Sequence, residues 1–186
     1  MGLGPAPGRL AVLFPGQGSQ RPGMLVDLAC AFPALRDTLA QADRALGTLT
    51  EEGPTVSRLS DVVYPQSAFT ADARKDQSER LRNTAFAQPA LGAVDVGAFR
   101  ILQQFGLEAD GFGGHSFGEL VALCAAGRLS VSEMLDLAKL RGYLMAGGDG
   151  DVAADRGSML AVRMDAGPLE AWLGHSGLDL VLANRN

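Results

Sequence analysis

The sequence predicts an α/β fold, and three observations carry that prediction. Short apolar runs that read as strands alternate with longer helical segments. Two glycines bracket a serine where a strand gives way to a helix. The chain of 186 residues, 47% hydrophobic, is also long and apolar enough for one sizeable core. After a Gly/Pro-rich lead, "RLAVLF" places a short buried strand over Leu10 to Phe14, which Pro15 breaks. The loop "PGQGSQRPG" follows, and a helix is expected from Phe32 to Leu46. The charged stretch "TADARKDQSERLRN" reads as a solvated helix or loop. A long apolar helix then covers Gln88 to Gln104, entered by Gln88 just before Pro89 and stopped by Gly106. A brief strand leads to Gly114, and a helix opens at Phe117 with Glu119 in its first turn, where the helix dipole favours an anion. Ser130 followed by Glu133 is a capping-box signature, starting a helix that runs to Ala146.

The stretch "GGDGDVAADRG", Gly147 to Gly157, is the clearest shift in composition and marks a boundary. Beyond it "SMLAVRM" reads as a strand, "DAGPLEAWL" as a short helix capped by Asp165, and "LDLVLAN" as a second strand. A β-α-β piece of this size rarely folds unaided, since units below about 40 residues bury too little surface. It is expected either to lean on the first unit or to belong to a sequence that is cut off.

Composition narrows the function classes. A net charge of -5 argues against nucleic acid, whose phosphates need clustered Lys and Arg. There is no apolar run long enough for a membrane span and no secretion-signal layout, so a soluble cytoplasmic protein is expected. Cys30 and Cys124 lack metal-like spacing and read as reduced core or near-core residues.

The chemistry concentrates in Gly114-His115-Ser116-Phe117-Gly118. On a strained turn between strand and helix, Ser116 Oγ would stand at the mouth of a cleft. The N–H of Phe117, an unpaired donor of the helix start, would point to where an oxyanion forms. The alternative is a serine that merely caps the helix. A serine nucleophile needs a base, and neither histidine fits. His115 is adjacent and diverges from Ser116 on a tight turn, whereas His175, with Ser176, reads as part of a helix-exit turn. Arg141 shares a helix face with Leu137, Ala138, Leu144 and Met145. A guanidinium there reaches water, serves the helix end, or finds an anion. The loop "PGQGSQRPG" lacks Gly-Lys-Ser/Thr and has the wrong glycine spacing for a dinucleotide fingerprint, which argues against a phosphate cradle.

Four stretches in order, "FPGQGSQ", "TAFAQPAL", "GHSFGE" and "RGYLM", resemble the malonyl-CoA:acyl carrier protein transacylases and the acyltransferase domains of polyketide and fatty acid synthases. The resemblance implies an α/β-hydrolase-like core with a small ferredoxin-like subdomain, only partly present. Residues 1–147 would form the core and 157–186 the first β-α-β of the subdomain, the chain matching the larger, N-terminal part of such a domain. It implies Ser116 as the acylated nucleophile, with the backbone N–H groups of Gln17 and Phe117 as its oxyanion hole. Arg141 would grip the free malonyl carboxylate in a bidentate pairing that Lys could not match. Gln88 and His115 would join it among the substrate-binding positions, and the catalytic histidine would lie beyond Asn186. The implied reaction moves a malonyl group from malonyl-CoA to the phosphopantetheine thiol of an acyl carrier protein in polyketide biosynthesis, among other synthase domains and without metal or cofactor. "NTAFAQP" and an aromatic Phe117 beside the serine favour malonyl over a branched acyl group. "GHSFGELVALCAAG" further resembles the acyltransferase domains of iterative enediyne and polyunsaturated-fatty-acid synthases. A serine esterase or thioesterase of related core, or a non-catalytic fragment that binds a carrier protein, stay open as alternatives.

Overall fold

The computed structural model describes residues 8–47, 49–50, 56–146 and 160–183. The chain divides into two units, Met1–Gly150 and Asp151–Asn186. The first runs β1 (Ala11–Phe14), α1 (Val26–Ala31), α2 (Pro33–Leu46), β2 (Leu49–Thr50), β3 (Val56–Ser57), α3 (Leu59–Val63), α4 (Ala71–Arg82), α5 (Thr84–Gln104), β4 (Gly111–Gly114), α6 (Gly118–Ala125) and α7 (Val131–Ala146). It is a helix-rich α/β arrangement. β1 pairs with β4 in parallel, Ala11 opposite Gly111 and Phe14 opposite Gly114, and β2 pairs antiparallel with β3. A parallel pair needs a crossover, and here everything from α1 to α5 supplies it.

α5 is apolar on nearly every face, and a helix of that kind belongs in the interior. α2 lies along it, turning in Ala34, Leu35, Thr38, Leu39, Ala42 and Leu46 at spacings of three and four. The approach is close: a Cβ on Gly97 of α5 would sit 2.6 Å from Thr38 Oγ1 and 2.9 Å from Leu35 Cα. Thr38 remains satisfied by donating its hydroxyl to the Leu35 carbonyl at 2.8 Å. α7 approaches α5 through Gly92, whose Cβ would meet Met134 Sδ at 2.7 Å. The sheet is anchored to α5 by edge-to-face rings, Phe14 on Phe99 at 6.0 Å and Phe99 on Phe112 at 5.4 Å. Side chains such as Leu35, Leu91 and Leu135 are shut off from water, each contributing about 1.5–3 kcal/mol.

Several expectations need correction. α5 begins at Thr84, four residues before Gln88, because Asn83 caps it by accepting from the Ala85 N–H at 3.0 Å. Pro89 therefore sits inside the helix and forgoes the bond to the Ala85 carbonyl. β1 is buried on one face only: Phe14 is enclosed while Leu13 is 76% exposed. The charged stretch, by contrast, takes one of its two expected forms, the solvated helix α4, capped by Thr70, whose hydroxyl accepts from Ala73 N–H at 3.1 Å. α1 and α3 are extra short helices that the sequence does not announce. Cys30 is exposed rather than near the core, since α1 turns in Ala29 and leaves its neighbour outside; Cys124 is half-buried.

The second unit contains α8 (Ala166–Ser176), preceded by Asp165 at the cap position with no side-chain cap bond. Among the described residues, 160–164 and 178–183 form no strand, in contrast to the two strands expected there. A strand exists only through a neighbour's N–H and C=O groups, and neither segment pairs with one. The boundary stretch Gly147 to Gly157 falls outside the described residues.

One buried group in α5 lacks compensation. Asp95 Oδ2 is enclosed with no hydrogen-bond partner among the described residues, and burial pushes its carboxyl up from 3.8 to about 7. The folded chain thus holds a proton that the unfolded chain releases near pH 4. Stability from this group is full below that pH, falls by about 1.4 kcal/mol per unit up to roughly pH 7, and is then level. Asp95→Asn is expected to be more stable than the parent at pH 8, by up to about 4 kcal/mol, and close to it at pH 4. Urea titrations of both proteins at the two pH values check this; equal differences at both would refute it.

Candidate active site

The site forms where two loops leave the carboxyl ends of the adjacent strands β1 and β4. From β4 the chain turns sharply through His115 and Ser116 into α6. Ser116 has φ 54°, a left-handed conformation that costs a non-glycine residue on the order of 1–3 kcal/mol. Backbone bonds hold it there: His115 N–H donates to Phe14 O at 3.0 Å, Gly118 N–H to His115 O at 2.9 Å, and Glu119 N–H to Ser116 O at 3.2 Å. The flanking glycines permit the turn. A Cβ on Gly114 would run into the backbone of Gly118 and Glu119, and one on Gly118 into the carbonyls of Phe14 and Pro15. Across from this turn Gly16 presses on His115, its Cβ position 2.7 Å from both His115 O and Nδ1, which seats the loop after β1 against the turn after β4.

Ser116 is exposed, and its Oγ accepts from Arg141 Nη2 at 3.2 Å. It does not cap α6; the cap residue is Phe117, whose side chain is fully enclosed with its ring tip beside Gly92. Among the described residues, the backbone N–H groups of Phe117 and Gln17 take part in no hydrogen bond. Arg141 arrives from α7. Its Nη1 is buried without a hydrogen-bond partner, and no carboxylate among the described residues pairs with it. Together with Arg141, Leu120, Leu137, Leu140, Leu144 and Met145 line a hollow of about 410 Å³. A larger hollow of about 440 Å³, lined by Pro22, Tyr64 and Gln77 among others, includes none of these residues.

Gln88 is fully buried on α5, donating from Nε2 to Gln17 Oε1 at 3.1 Å and toward Met145 Sδ at 3.2 Å. Its Oε1 is buried and unpartnered. Ser116, Arg141, Gln88 and Gln17 are thus linked by contact or by a shared neighbour on α7. His115 stays at the loop, exposed, with its ring against Gly16. His175 sits in the last turn of α8, where Nδ1 lies 2.6 Å from the Ala171 carbonyl of the same helix. Two residues are not picked out by the sequence: Thr84, whose hydroxyl accepts from Gln17 Nε2 at 3.4 Å, and Met145 as a neighbour of Gln88. Thr84 and Gln88 are four apart and fall on one helical face once the helix start is placed at Asn83.

Residues 12–169 match the family model of the acyl transferase domain. The chain belongs to that family. This acyl transferase domain is 34% identical over 175 residues to a polyunsaturated fatty acid synthase polypeptide of Thraustochytrium sp., covering 91% of the chain and 6% of that protein. It is 35% identical to the malonyl CoA-acyl carrier protein transacylase of Escherichia coli O157:H7, covering 74% of the chain and 38% of the relative. Among solved structures it resembles the malonyl-transacylase seen in complex with a type II PKS acyl-carrier protein, with a TM-score of 0.61 at 37% identity over 74% of the chain and 39% of the other. The acyl transferase domain thus spans well under half the length of these relatives. Among its described residues no helix is long and apolar enough to cross a membrane, and no group of His, Cys, Asp and Glu could hold a metal ion.

Proposed function

We propose that these residues are the nucleophile-bearing part of an acyltransferase that moves a malonyl group from malonyl-CoA, through an ester on Ser116, to the phosphopantetheine thiol of an acyl carrier protein within a synthase. One observation carries the reading: a buried, unpaired guanidinium nitrogen belongs to the same Arg141 that touches the candidate nucleophile. A guanidinium N–H enclosed without an acceptor is costly unless a ligand supplies one. The free carboxylate of a malonyl thioester does so while its carbonyl lies at Ser116. An esterase for neutral acyl groups has no use for that charge.

In the first step Ser116 Oγ forms a bond to the thioester carbon, and its proton passes to a base. The carbonyl electrons move onto oxygen, which the N–H groups of Gln17 and Phe117 receive. Both donors are fixed before the charge develops, which is what makes such amides effective. The C–S bond then breaks and the CoA sulfur takes the proton. In the second step the carrier thiol attacks the ester by the same route in reverse, and Ser116 recovers its proton. The exchange is redox-neutral and needs no metal or redox cofactor. We assign the base, a histidine by family resemblance, to the portion of the family domain outside these residues. The finer architecture belongs to the same reading: 1–147 as an α/β-hydrolase-like core and 157–186 within a ferredoxin-like subdomain. The cytoplasm, where CoA thioesters and carrier proteins meet, is the compartment it implies.

The test is to incubate the domain at full family length with isotope-labelled malonyl-CoA, and to follow label onto the protein and then onto holo-carrier protein. Covalent labelling followed by transfer is expected; carrier binding without any labelled intermediate would leave a docking fragment instead. Arg141→Ala is expected to lower kcat/KM for malonyl-CoA by about 10- to 100-fold, the worth of a charge-assisted bidentate pair. Acetyl-CoA, with no carboxylate, is expected to react no worse than with the parent. Parallel losses on both substrates would remove the carboxylate role.

A further inference from the structure

We infer that Thr84 is a positioning residue that locks the loop bearing Gln17 and registers it against the helix bearing Arg141; this rests on the acyltransferase reading above. A main-chain donor stabilises an oxyanion only if its loop does not move when charge appears. The far side of this loop is secured locally, by Ser19 Oγ donating to Gly16 O at 3.0 Å and Gly18 N–H donating to Gln20 Oε1 at 2.7 Å. Gln17 itself is fixed from outside the loop, at both ends of its side-chain amide. Its Oε1 accepts from Gln88 at 3.1 Å and its Nε2 donates to Thr84 Oγ1 at 3.4 Å. A primary amide held at both ends by partners of opposite sense has one orientation, so the pair fixes the Gln17 side chain rather than merely touching it.

Thr84 has a second engagement. A Cβ on Gly142 would stand 2.9 Å from Thr84 O and 3.3 Å from Ala85 Cα, so α7 rests directly on the backbone of the first turn of α5. Gly142 follows Arg141 in the chain. The hydroxyl of Thr84 therefore holds the oxyanion loop while its backbone seats the helix of the carboxylate-binding arginine. Two parts of the site 124 positions apart, Gln17 and Arg141, take their spacing from one residue.

The test compares Thr84→Val, which keeps the shape and loses the acceptor, with Thr84→Ser, which restores it, both at full family length. Thr84→Val is expected to lower kcat for self-malonylation by about 3- to 10-fold, the worth of one neutral hydrogen bond, with KM for malonyl-CoA within about twofold. Thr84→Ser is expected to recover most of the rate. The NMR order parameter of the Gln17 main-chain amide, read without substrate, is expected to fall in Thr84→Val alone. Should Val fold poorly, Thr84→Ala carries the same comparison. An unchanged kcat and order parameter in a folded Val or Ala variant overturns the clamp while leaving the acyltransferase intact. A parent protein that takes no label overturns both.

Discussion

Ser116→Ala is expected to abolish covalent labelling by malonyl-CoA altogether, leaving a protein that folds as the parent does. No other hydroxyl among the described residues combines exposure at the elbow with contact to the Arg141 guanidinium. The substitution removes the atom that would carry the acyl group and little else, since alanine meets the same left-handed backbone as serine. Thermal melting should therefore coincide for the two proteins, while intact-mass measurement finds the acyl adduct only in the parent. Ser116→Gly makes the complementary point. It deletes the same oxygen but accepts φ 54° without strain, so it should be equally inert and more stable by on the order of 1 kcal/mol. Labelling that persists in either variant would move the nucleophile elsewhere and dismantle the site as described.

Gly118→Ala, like Gly114→Ala, should produce one of the largest losses of stability that a single added methyl causes among the described glycines. The new carbon would overlap the carbonyl of Phe14 and lie 2.7 Å from that of Pro15. Both obstacles are backbone, so no rotamer change relieves them. Phe14 O already accepts from the His115 N–H, so pushing β1 aside also breaks the bond that closes the turn. A destabilisation above about 3 kcal/mol follows, a large part of the 5–15 kcal/mol that holds a typical domain together. Gly111→Ala is the control, because a Cβ there meets nothing within 4 Å and the backbone is ordinary strand. Urea midpoints of the two variants should differ widely. Similar midpoints would mean that α6 does not rest on β1 as closely as the geometry has it.

The elements that local chemistry dictates are legible in the sequence, and the contacts between them are not. "GHSFG" announces a strand, a tight turn and a helix within five residues, because glycine spacing and the hydroxyl are local facts. Ser130 and Glu133 likewise pair as a capping box, Ser130 N–H donating to Glu133 Oε2 at 2.8 Å and Glu133 N–H to Ser130 Oγ at 3.2 Å. The start of α5 differs from expectation because Pro89 looks like an entry signal, whereas the cap at Asn83 begins the helix earlier. Cys30 is outside because a six-residue helix such as α1 turns in only one or two side chains, and composition does not say which. The strands expected within 160–183 fail for a different reason: alternation of apolar residues signals a capacity to pair, and pairing needs a neighbour. Arg141 on Ser116 depends on where α7 lies, and Gln17 between Thr84 and Gln88 on the loop after β1 reaching the first turns of α5, and no periodicity encodes either approach.

The parallel pairing of β1 with β4 has an evolutionary implication. The reactive oxygen and the amides proposed to serve it issue from neighbouring strand ends, whereas the cation that would choose the cargo is borne on α7, a separate helix. The charge that would hold an acidic cargo is thereby written in a different stretch of the gene from the nucleophile, so a lineage could exchange an acidic cargo for a neutral one by redrafting α7 and keep its machinery for making and breaking esters untouched.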